Sequence, residues 1–356
     1  MFPGASEVSL KPLWVQNRKF IGSKQNLLDF IAGVVAERAP EARSLADLFA
    51  GSAVVAYHFA ARGFAVTASD HLYHNYVAAR CFLGGRPGEV DWDRLAGMLA
   101  YLDRLPPIEG YCFTEYGGTY FTRENAGRID AIREQIAAWR ADGTIGEQEE
   151  AVLLTSLLYA ADKVANTCGQ YDAYLKHLGK DPYADDGTHL VDATVYKPLE
   201  LCLPQVVESE QNRVYCADAD VLVDAVEADV LYLDPPYNGR QYVDNYHVLE
   251  NIARWQKPRL YGKTRKFRRD GLKSAYSRRA TAGRHLTRLI QRARARHILL
   301  SYNNEGIIPD EVIWAALEQR GPVELFTTEY AIFGNGAGRA GRRPIVERLF
   351  YCRVVR

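Results

Sequence analysis

Ser44-Leu-Ala-Asp-Leu-Phe-Ala-Gly-Ser-Ala-Val-Val-Ala-Tyr-His-Phe-Ala-Ala-Arg-Gly-Phe-Ala-Val-Thr-Ala-Ser-Asp70 reads as strand, glycine turn, helix and strand. Ser44–Phe49 is a short apolar run. Ala50-Gly51 supplies a tight turn, the stretch up to Gly63 has the length and small residues of a helix stopped by glycine, and Phe64–Asp70 is a second apolar run tipped by an acid. Such a unit predicts a parallel sheet, because two parallel strands need a crossover and a helix commonly provides it. Asp70 stands 19 positions after Gly51. Small residues at the first turn let the backbone approach a nucleoside-type cofactor, and an acid at the tip of the second strand accepts hydrogen bonds from ribose hydroxyls.

Further strands follow much later: Val214–Asp218, Val230–Leu233 and Ile298–Tyr302, each ending in polar residues where a parallel sheet opens. Leu27, Leu28, Ile31, Val34 and Val35 form a helical stripe after Ser23, a first helix ahead of the βαβ unit. Val323–Tyr330 and Ile345–Arg353 read as a β-hairpin around Gly334-Asn-Gly-Ala-Gly-Arg-Ala-Gly341. That loop lacks a following helix and a closing Lys-Ser/Thr, so it is expected to be a hairpin tip and no phosphate cradle. Between 84 and 197 the strand–helix alternation stops and helices dominate: Asp91–Leu105, Arg123–Ala141 behind the N-cap Thr122, and Glu147–Val164. The expected fold is a doubly wound, Rossmann-like α/β domain, 1–83 and 198–356, whose mixed sheet is mostly parallel, with a mostly helical insertion at 84–197.

A chain of 356 residues with 47% hydrophobic content fills a full core and argues against disorder. The six cysteines include no Cys-x-x-Cys pair, which argues against a zinc site and a disulfide scaffold and leads us to expect a reducing, cytoplasmic setting. The first residues lack the basic start and apolar run of a signal peptide, and no stretch approaches the roughly 18 apolar residues of a membrane span. A soluble protein is expected. Formal charge is zero, yet between Arg254 and Arg296 sixteen Lys or Arg face the single acid Asp270. Arg284, Arg288, Arg292 and Arg296, four apart, read as a solvated helix face. The part containing Lys257, Arg259, Lys263, Arg265, Lys266, Arg268 and Arg269 has no helical period and mixes cations with Tyr261, Gly262 and Phe267. It is expected to be a mobile loop that closes on a polyanion such as a nucleic-acid backbone, with Arg240 nearby in sequence.

Val230-Leu-Tyr-Leu-Asp-Pro-Pro-Tyr237 carries the chemistry. A buried strand is stopped by two prolines and tipped by a carboxylate and an aromatic ring. An exocyclic amine on a planar base is a poor nucleophile, because its lone pair is delocalised into the ring. Oxygen acceptors on Asp234 and on the backbone locked by Pro235 and Pro236 draw on its N–H groups and favour a more tetrahedral nitrogen, while Tyr237 offers a face for the ring. Pro-Pro after a strand is also an ordinary stop signal, and a lone Asp after a strand is also a helix N-cap. The weight lies in Asp47, Asp70, Asp218 and Asp234 sharing the carboxyl edge of one sheet, where open α/β sheets bind ligands.

Taken in order, Lys19-Phe-Ile-Gly-Ser-Lys24, Asp47-Leu-Phe-Ala-Gly51, Asp70, Asp218 and Asp234-Pro-Pro-Tyr237 resemble the alpha-group, Dam-like adenine-N6 DNA methyltransferases. The likeness is greatest to the modification enzymes of type IIS restriction systems. It extends to Asn238–Glu250, Tyr120–Asp130, Ala165–Tyr171 and Ser301-Tyr-Asn303, and so spans nearly the whole chain. The resemblance implies an S-adenosylmethionine-dependent methyltransferase fold, with the helical insertion as target-recognition domain. Lys19, Phe20, Gly22, Lys24, Asp47, Phe49 and Gly51 would face the cofactor, Lys24 alternatively the DNA. Asp70 would hold its ribose and Asp218 its adenine. Asp234 and the Pro235 carbonyl would hold the target amine, and Tyr237 would stack on a base flipped out of duplex DNA. No metal is expected in the reaction.

Two positions depart from the family's pattern. Ala53 replaces the second glycine of Phe-x-Gly-x-Gly, and Ala219 replaces the aromatic that often follows the cofactor-adenine acid. His71, His74, Tyr246 and His247 receive no role, while Tyr302 and Asn303 at a strand tip are weaker candidates for the DNA or base pocket. A monomer is favoured, with a partner endonuclease as one further possibility. The competing readings are methylation of ribosomal RNA, where the large insertion fits poorly, and a non-catalytic nucleic-acid binder, against which the intact acids speak.

Overall fold

A computed structural model describes residues 10–18, 20–167, 169–176, 178, 192–329 and 346–355. The chain divides into two compact units: 1–23, 72–210 and 242–272 form one, and 24–71, 211–241 and 273–356 the other. The second, the sheet unit, begins with α1 (Leu28–Arg38), β1 (Ser44–Asp47), α2 (Val54–Ala60) and β2 (Ala65–Asp70). The helical unit follows with α3 (Tyr73–Leu83), α4 (Trp92–Asp103), α5 (Tyr111–Tyr116), α6 (Arg123–Ala141) and α7 (Glu147–Lys163). The sheet unit resumes with β3 (Arg213–Cys216), α8 (Ala219–Leu222) and β4 (Glu227–Leu233), before α9 (Tyr242–Arg254) returns to the helical unit. It ends with α10 (Ala282–Arg292), β5 (Arg294–Ser301), α11 (Asp310–Glu318), β6 (Val323–Glu329) and β7 (Val346–Arg353).

The seven strands are ordered β3-β2-β1-β4-β5-β7-β6. The first five run parallel; β7 pairs antiparallel with both β5 and β6, the expected terminal hairpin. From β1 the chain winds one way to β2 and β3, and from β4 the other way to β5. The order therefore reverses between β1 and β4, the switch point at which doubly wound sheets take ligands. The central strands are buried on both faces, as continuous apolar runs require: Leu45, Ala46 and Val230–Leu233 are buried, and so are Ile298–Leu300. Leu286, Leu289 and Ile290 of α10, with Ile313 and Leu317 of α11, pack into the same core as Leu231, Leu233, Ile298, Leu300 and Phe350. The predicted hairpin tip Gly334–Gly341 lies outside the described residues.

One expectation is corrected here. Arg284, Arg288 and Arg292 do lie on α10, but the helix stops at Arg292 and Arg296 lies on β5, ion-paired with Asp229. The spacing of four carries no meaning past the helix end, because Ala293 has already left helical backbone at ψ 134°.

In the helical unit, α7 is buried along nearly its whole length, from Gln148 and then Ala151 to Ala161. A helix apolar on all sides is the core element of its unit. Its neighbours start as the sequence predicts: the Thr122 hydroxyl accepts from Asn125 N–H at 3.1 Å, and the Asp91 carboxylate from Arg94 N–H at 3.0 Å. The start of α3 is capped from a distance. Glu250 of α9 accepts from the N–H groups of Tyr73 and His74 at 3.0 and 2.9 Å and from the His74 ring at 2.7 Å, and it pairs with Arg254. Burial raises the Glu250 pKa, but the His74 and Arg254 interactions outweigh it and hold the carboxyl at about 2. The predicted insertion, 84–197, falls inside this unit, which also takes in α3, α9 and the chain up to 272. No helix among the described residues is long and apolar enough to cross a membrane.

Candidate active site at the carboxyl edge of the sheet

Asp47 closes β1, Asp70 closes β2, Asp218 lies two residues beyond β3, and Asp234 directly follows β4. Because these four strands are parallel neighbours, with Asp47 opposite Ala68 and Tyr232 and Asp70 opposite Cys216, all four acids reach one edge. The glycine turn is tied to it: the Gly51 N–H donates to Asp70 Oδ2 at 3.0 Å and Ala50 N–H to the Ser69 carbonyl at 2.9 Å. Gly51 has a positive φ of +53°, and the buried Ala53 one of +63°. Asp218 Oδ1 caps α8, accepting from Asp220 N–H at 2.8 Å. The bland helix-cap reading is therefore realised at Asp218.

Asp47 is buried, and its Oδ1 accepts from Phe49 N–H at 3.2 Å. Burial, then the nearby charge of Asp234, pushes the Asp47 carboxyl up to about 8. Phe49 turns its ring against Tyr276, edge to face at 4.9 Å, and Tyr276 donates from its hydroxyl to Asp220 at 2.7 Å. His285 holds the other oxygen of Asp220 at 2.5 Å. Ala219 belongs to the same buried cluster as Tyr276.

Asp234 is paired with Lys24. Lys24 is buried, its Nζ 2.9 Å from Asp234 Oδ1 and 3.4 Å from Glu347 Oε1. Burial disfavours the ammonium, yet the two carboxylates outweigh burial and hold its pKa above the ordinary value. At Asp234 burial is the larger effect and raises the carboxyl to about 6, with Lys24 pulling it down and Glu347 pushing it up. One-fifth of the Asp234 side chain remains exposed, and its Oδ2 has no hydrogen-bond partner among the described residues. Pro235 is buried, Pro236 and Tyr237 half-buried. The Tyr237 carbonyl accepts from Ile307 N–H at 3.0 Å, which fixes the corner, and its ring packs on the sheet unit's core. Arg240 is exposed just beyond it.

Lys19 lies outside the described residues. Phe20 stacks on Tyr246 with centroids 5.1 Å apart and planes 3° from parallel, and Arg18 lies over both rings. Gly22 has φ +74°, and the Ile21 N–H before it donates to the Tyr246 hydroxyl at 2.8 Å. Tyr246, which the sequence leaves without a role, interrupts α9 at φ −127°, ψ 20° and anchors this segment. His247 is buried between the carbonyls of Asp244 and Thr264, and burial lowers its pKa to about 4.

Among the cations of the basic segment, Lys257 pairs with Glu134, Arg265 with Glu115, Lys266 with Asp172, Arg268 with Asp270 and Arg269 with Asp244. The segment is a folded turn, with Tyr261 and Lys266 exchanging backbone hydrogen bonds of 2.8 and 3.1 Å around Gly262. Arg259 and Lys263 have no acidic partner among the described residues. Tyr302 and Asn303, the strand-tip candidates, are buried and serve their own loop, accepting from Ile308 and Glu305 N–H.

The residue that sequence reasoning missed is Glu347. It reads as one polar position in a hairpin strand; only its contacts with Lys24 and Ser301 reveal it, and the sequence gives no local signal for that. A backbone turn opened by Gly51, acids at 70 and 218 able to accept from hydroxyl and amine donors, and a partly exposed carboxylate beside a proline-locked corner form a set suited to a nucleoside-like ligand next to an amine.

Comparison with known proteins agrees with this chemistry. Residues 20–311 match the family described as D12 class N6 adenine-specific DNA methyltransferase. The chain is 34% identical to the modification methylase StsI of Streptococcus sanguinis over 94% of its own length and 51% of that protein's. It is 35% identical to the type II methyltransferase M.FokI of Planomicrobium okeanokoites, over 86% and 48%, and 36% identical to M.NlaIII of Neisseria lactamica, over 88% and 92%. It thus spans about half the length of the first two relatives and nearly all of the third. With the family's model covering the sheet-edge acids and the diproline corner together, the chain belongs to the D12 class of N6 adenine-specific DNA methyltransferases.

Proposed function

We propose that this chain methylates N6 of an adenine rotated out of duplex DNA, with S-adenosylmethionine as methyl donor. The observation that carries the reading is Asp234: a carboxylate at a rigid corner, one oxygen held by Lys24 and the other open. Family membership supports the substrate class.

The donor fits the residues present. The small residues Ala50 and Gly51 at the turn would let its amino-acid part approach the backbone, Asp70 would accept from ribose hydroxyls and Asp218 from an adenine amine; Asp47, Phe49, Lys19, Phe20 and Gly22 are the further residues proposed for it. When bound, it supplies an electrophilic methyl on a positively charged sulfur. The protein's work is on the amine. Asp234 Oδ2 and the Pro235 carbonyl accept its two N–H groups, which localises the nitrogen lone pair and aims it. Tyr237 gives the base a stacking face. Asp234 must be ionised to accept, and with its pKa near 6 it is so at neutral pH. The proton released from N6 passes to Asp234 or to water.

The helical unit's 84–197 block is proposed to read the target sequence, and Arg240, Lys257, Arg259, Lys263, Arg265, Lys266, Arg268 and Arg269 to meet phosphates. Double-stranded DNA is the proposed partner, the protein acting as a monomer, and a cognate restriction endonuclease is the proposed counterpart of the methylation.

Labelled methyl transfer to duplex DNA, together with long-read detection of N6-methyladenine in cells expressing the chain, tests the reading. Asp234→Ala is expected to cut transfer by roughly 10²–10³-fold or more while S-adenosylmethionine binding by calorimetry persists. Full activity in that variant, or transfer to ribosomal RNA and none to duplex DNA, overturns the proposal.

A further inference from the structure

Glu347 takes no part in the reading above, yet it is buried, its Oε1 accepts from the Ser301 hydroxyl at 2.6 Å, and it lies 3.4 Å from Lys24 Nζ. The same ammonium is 2.9 Å from Asp234 Oδ1. One buried cation therefore serves two carboxylates, one of them at the diproline corner. A lysine stem has four rotatable bonds, so an ammonium with a single contact fixes its partner poorly; a second contact removes that freedom.

We propose that Glu347, held by Ser301, is a positioning residue: it anchors Lys24 so that Asp234 keeps one oxygen occupied and presents the other to the substrate amine, and it shares the cation's charge so that Asp234 stays a strong acceptor. The inference rests on the function proposed above. The charged and titratable groups facing Asp234 are Lys24 from the segment before α1, Glu347 from β7, Asp47 from β1 and Tyr232 from β4. Their signs differ. The Lys24 charge favours the Asp234 carboxylate, whereas Glu347 opposes it.

Opposite shifts follow for two variants of the full chain. In E347Q the acid limb of single-turnover methylation moves to lower pH by roughly 1 unit, and in K24M it moves to higher pH by roughly 1–3 units. E347Q also lowers the maximal rate by about 10-fold with the KM for S-adenosylmethionine unchanged, since geometry and not cofactor binding is lost. The same titration is read without catalysis from the carboxyl carbon of Asp234 in ¹³C-aspartate-labelled protein, the resonance being identified by its absence in D234N. If E347Q does not fold, S301A loosens Glu347 without changing charge and is expected to lower the maximal rate while leaving the acid limb in place. Shifts of E347Q and K24M in the same direction, an unmoved limb in E347Q, or an unaltered rate in S301A overturn the proposal. If the wild-type chain methylates nothing, the functional reading fails, while the Asp234 resonance still decides this one.

Discussion

Ala53 sits at φ +63° with no exposure, a backbone conformation that glycine adopts freely and alanine does not. Three effects compete at this residue. Left-handed backbone costs an L-residue about 1–2 kcal/mol; glycine would relieve that, but it would add roughly 0.5–1 kcal/mol of unfolded-chain entropy and lose a buried methyl worth about 0.8 kcal/mol. Ala53→Gly is therefore expected to change stability by less than about 1 kcal/mol in either direction. Denaturant unfolding of the two proteins measures it, and a loss above about 2 kcal/mol would show that the methyl group, not the backbone, is what this position needs. The sequence marks Ala53 as a departure from the family's glycine. It does not show that the chain accepts strain there instead of bending the turn another way, because φ is set by the Ala50 and Ser69 carbonyls that close the turn.

Elements were legible where hydrophobic period and caps agree. The βαβ unit, the Thr122 cap, the helix beginning at Asp91, the terminal hairpin and α7 all follow from local pattern. Helices α3 and α9 did not, since their periodicity is blunted by buried polar residues such as His74, Asn75 and Glu250, which distant partners satisfy; α5, at six residues, and α11, at nine, are short for a periodic signal. The basic segment is the sharper case. Its charge is plain in the sequence, but most of its cations are committed to acids of the same unit, which neutralise much of the charge a ligand would meet. Arg259 and Lys263 are then the cations expected to meet phosphate first. The double variant R259A/K263A should weaken duplex DNA binding uniformly across sequences and flatten the plot of log affinity against log salt by about 0.9 per contact. Filter binding or fluorescence anisotropy over a salt series checks it; an unchanged slope would remove both residues from the interface.

At the scale of the whole molecule the sheet-edge acids set a pH dependence of stability. A carboxyl whose folded pKa lies above its unfolded value stabilises the fold only while protonated, so that contribution is complete below about pH 4 and is lost as pH rises through the folded pKa: about 6 for Asp234 and about 8 for Asp47. Glu250 works in the opposite sense, stabilising above its unfolded value of 4.5 and failing as pH falls through about 2. The midpoint of thermal unfolding is thus expected to fall between about pH 4 and pH 8, by an amount on the order of a few kcal/mol in stability. Asp47→Asn keeps the acceptor for Phe49 N–H and removes the charge, so it should flatten that fall and raise the midpoint at pH 9 more than at pH 5. Calorimetry at the two pH values decides, and an equal effect at both would mean that Asp47 is not the group that titrates. By itself the sequence determined the parallel sheet, the acids at its strand tips and the diproline corner, because strand period, turn chemistry and helix caps are local properties of neighbouring residues. Only the tertiary structure decided that Lys24 pairs with both Asp234 and the distant Glu347, that Tyr276 packs edge-on against Phe49, and that most loop cations are already paired. These contacts depend on sheet order and burial, and no spacing along the chain encodes which distant charge a buried one will meet.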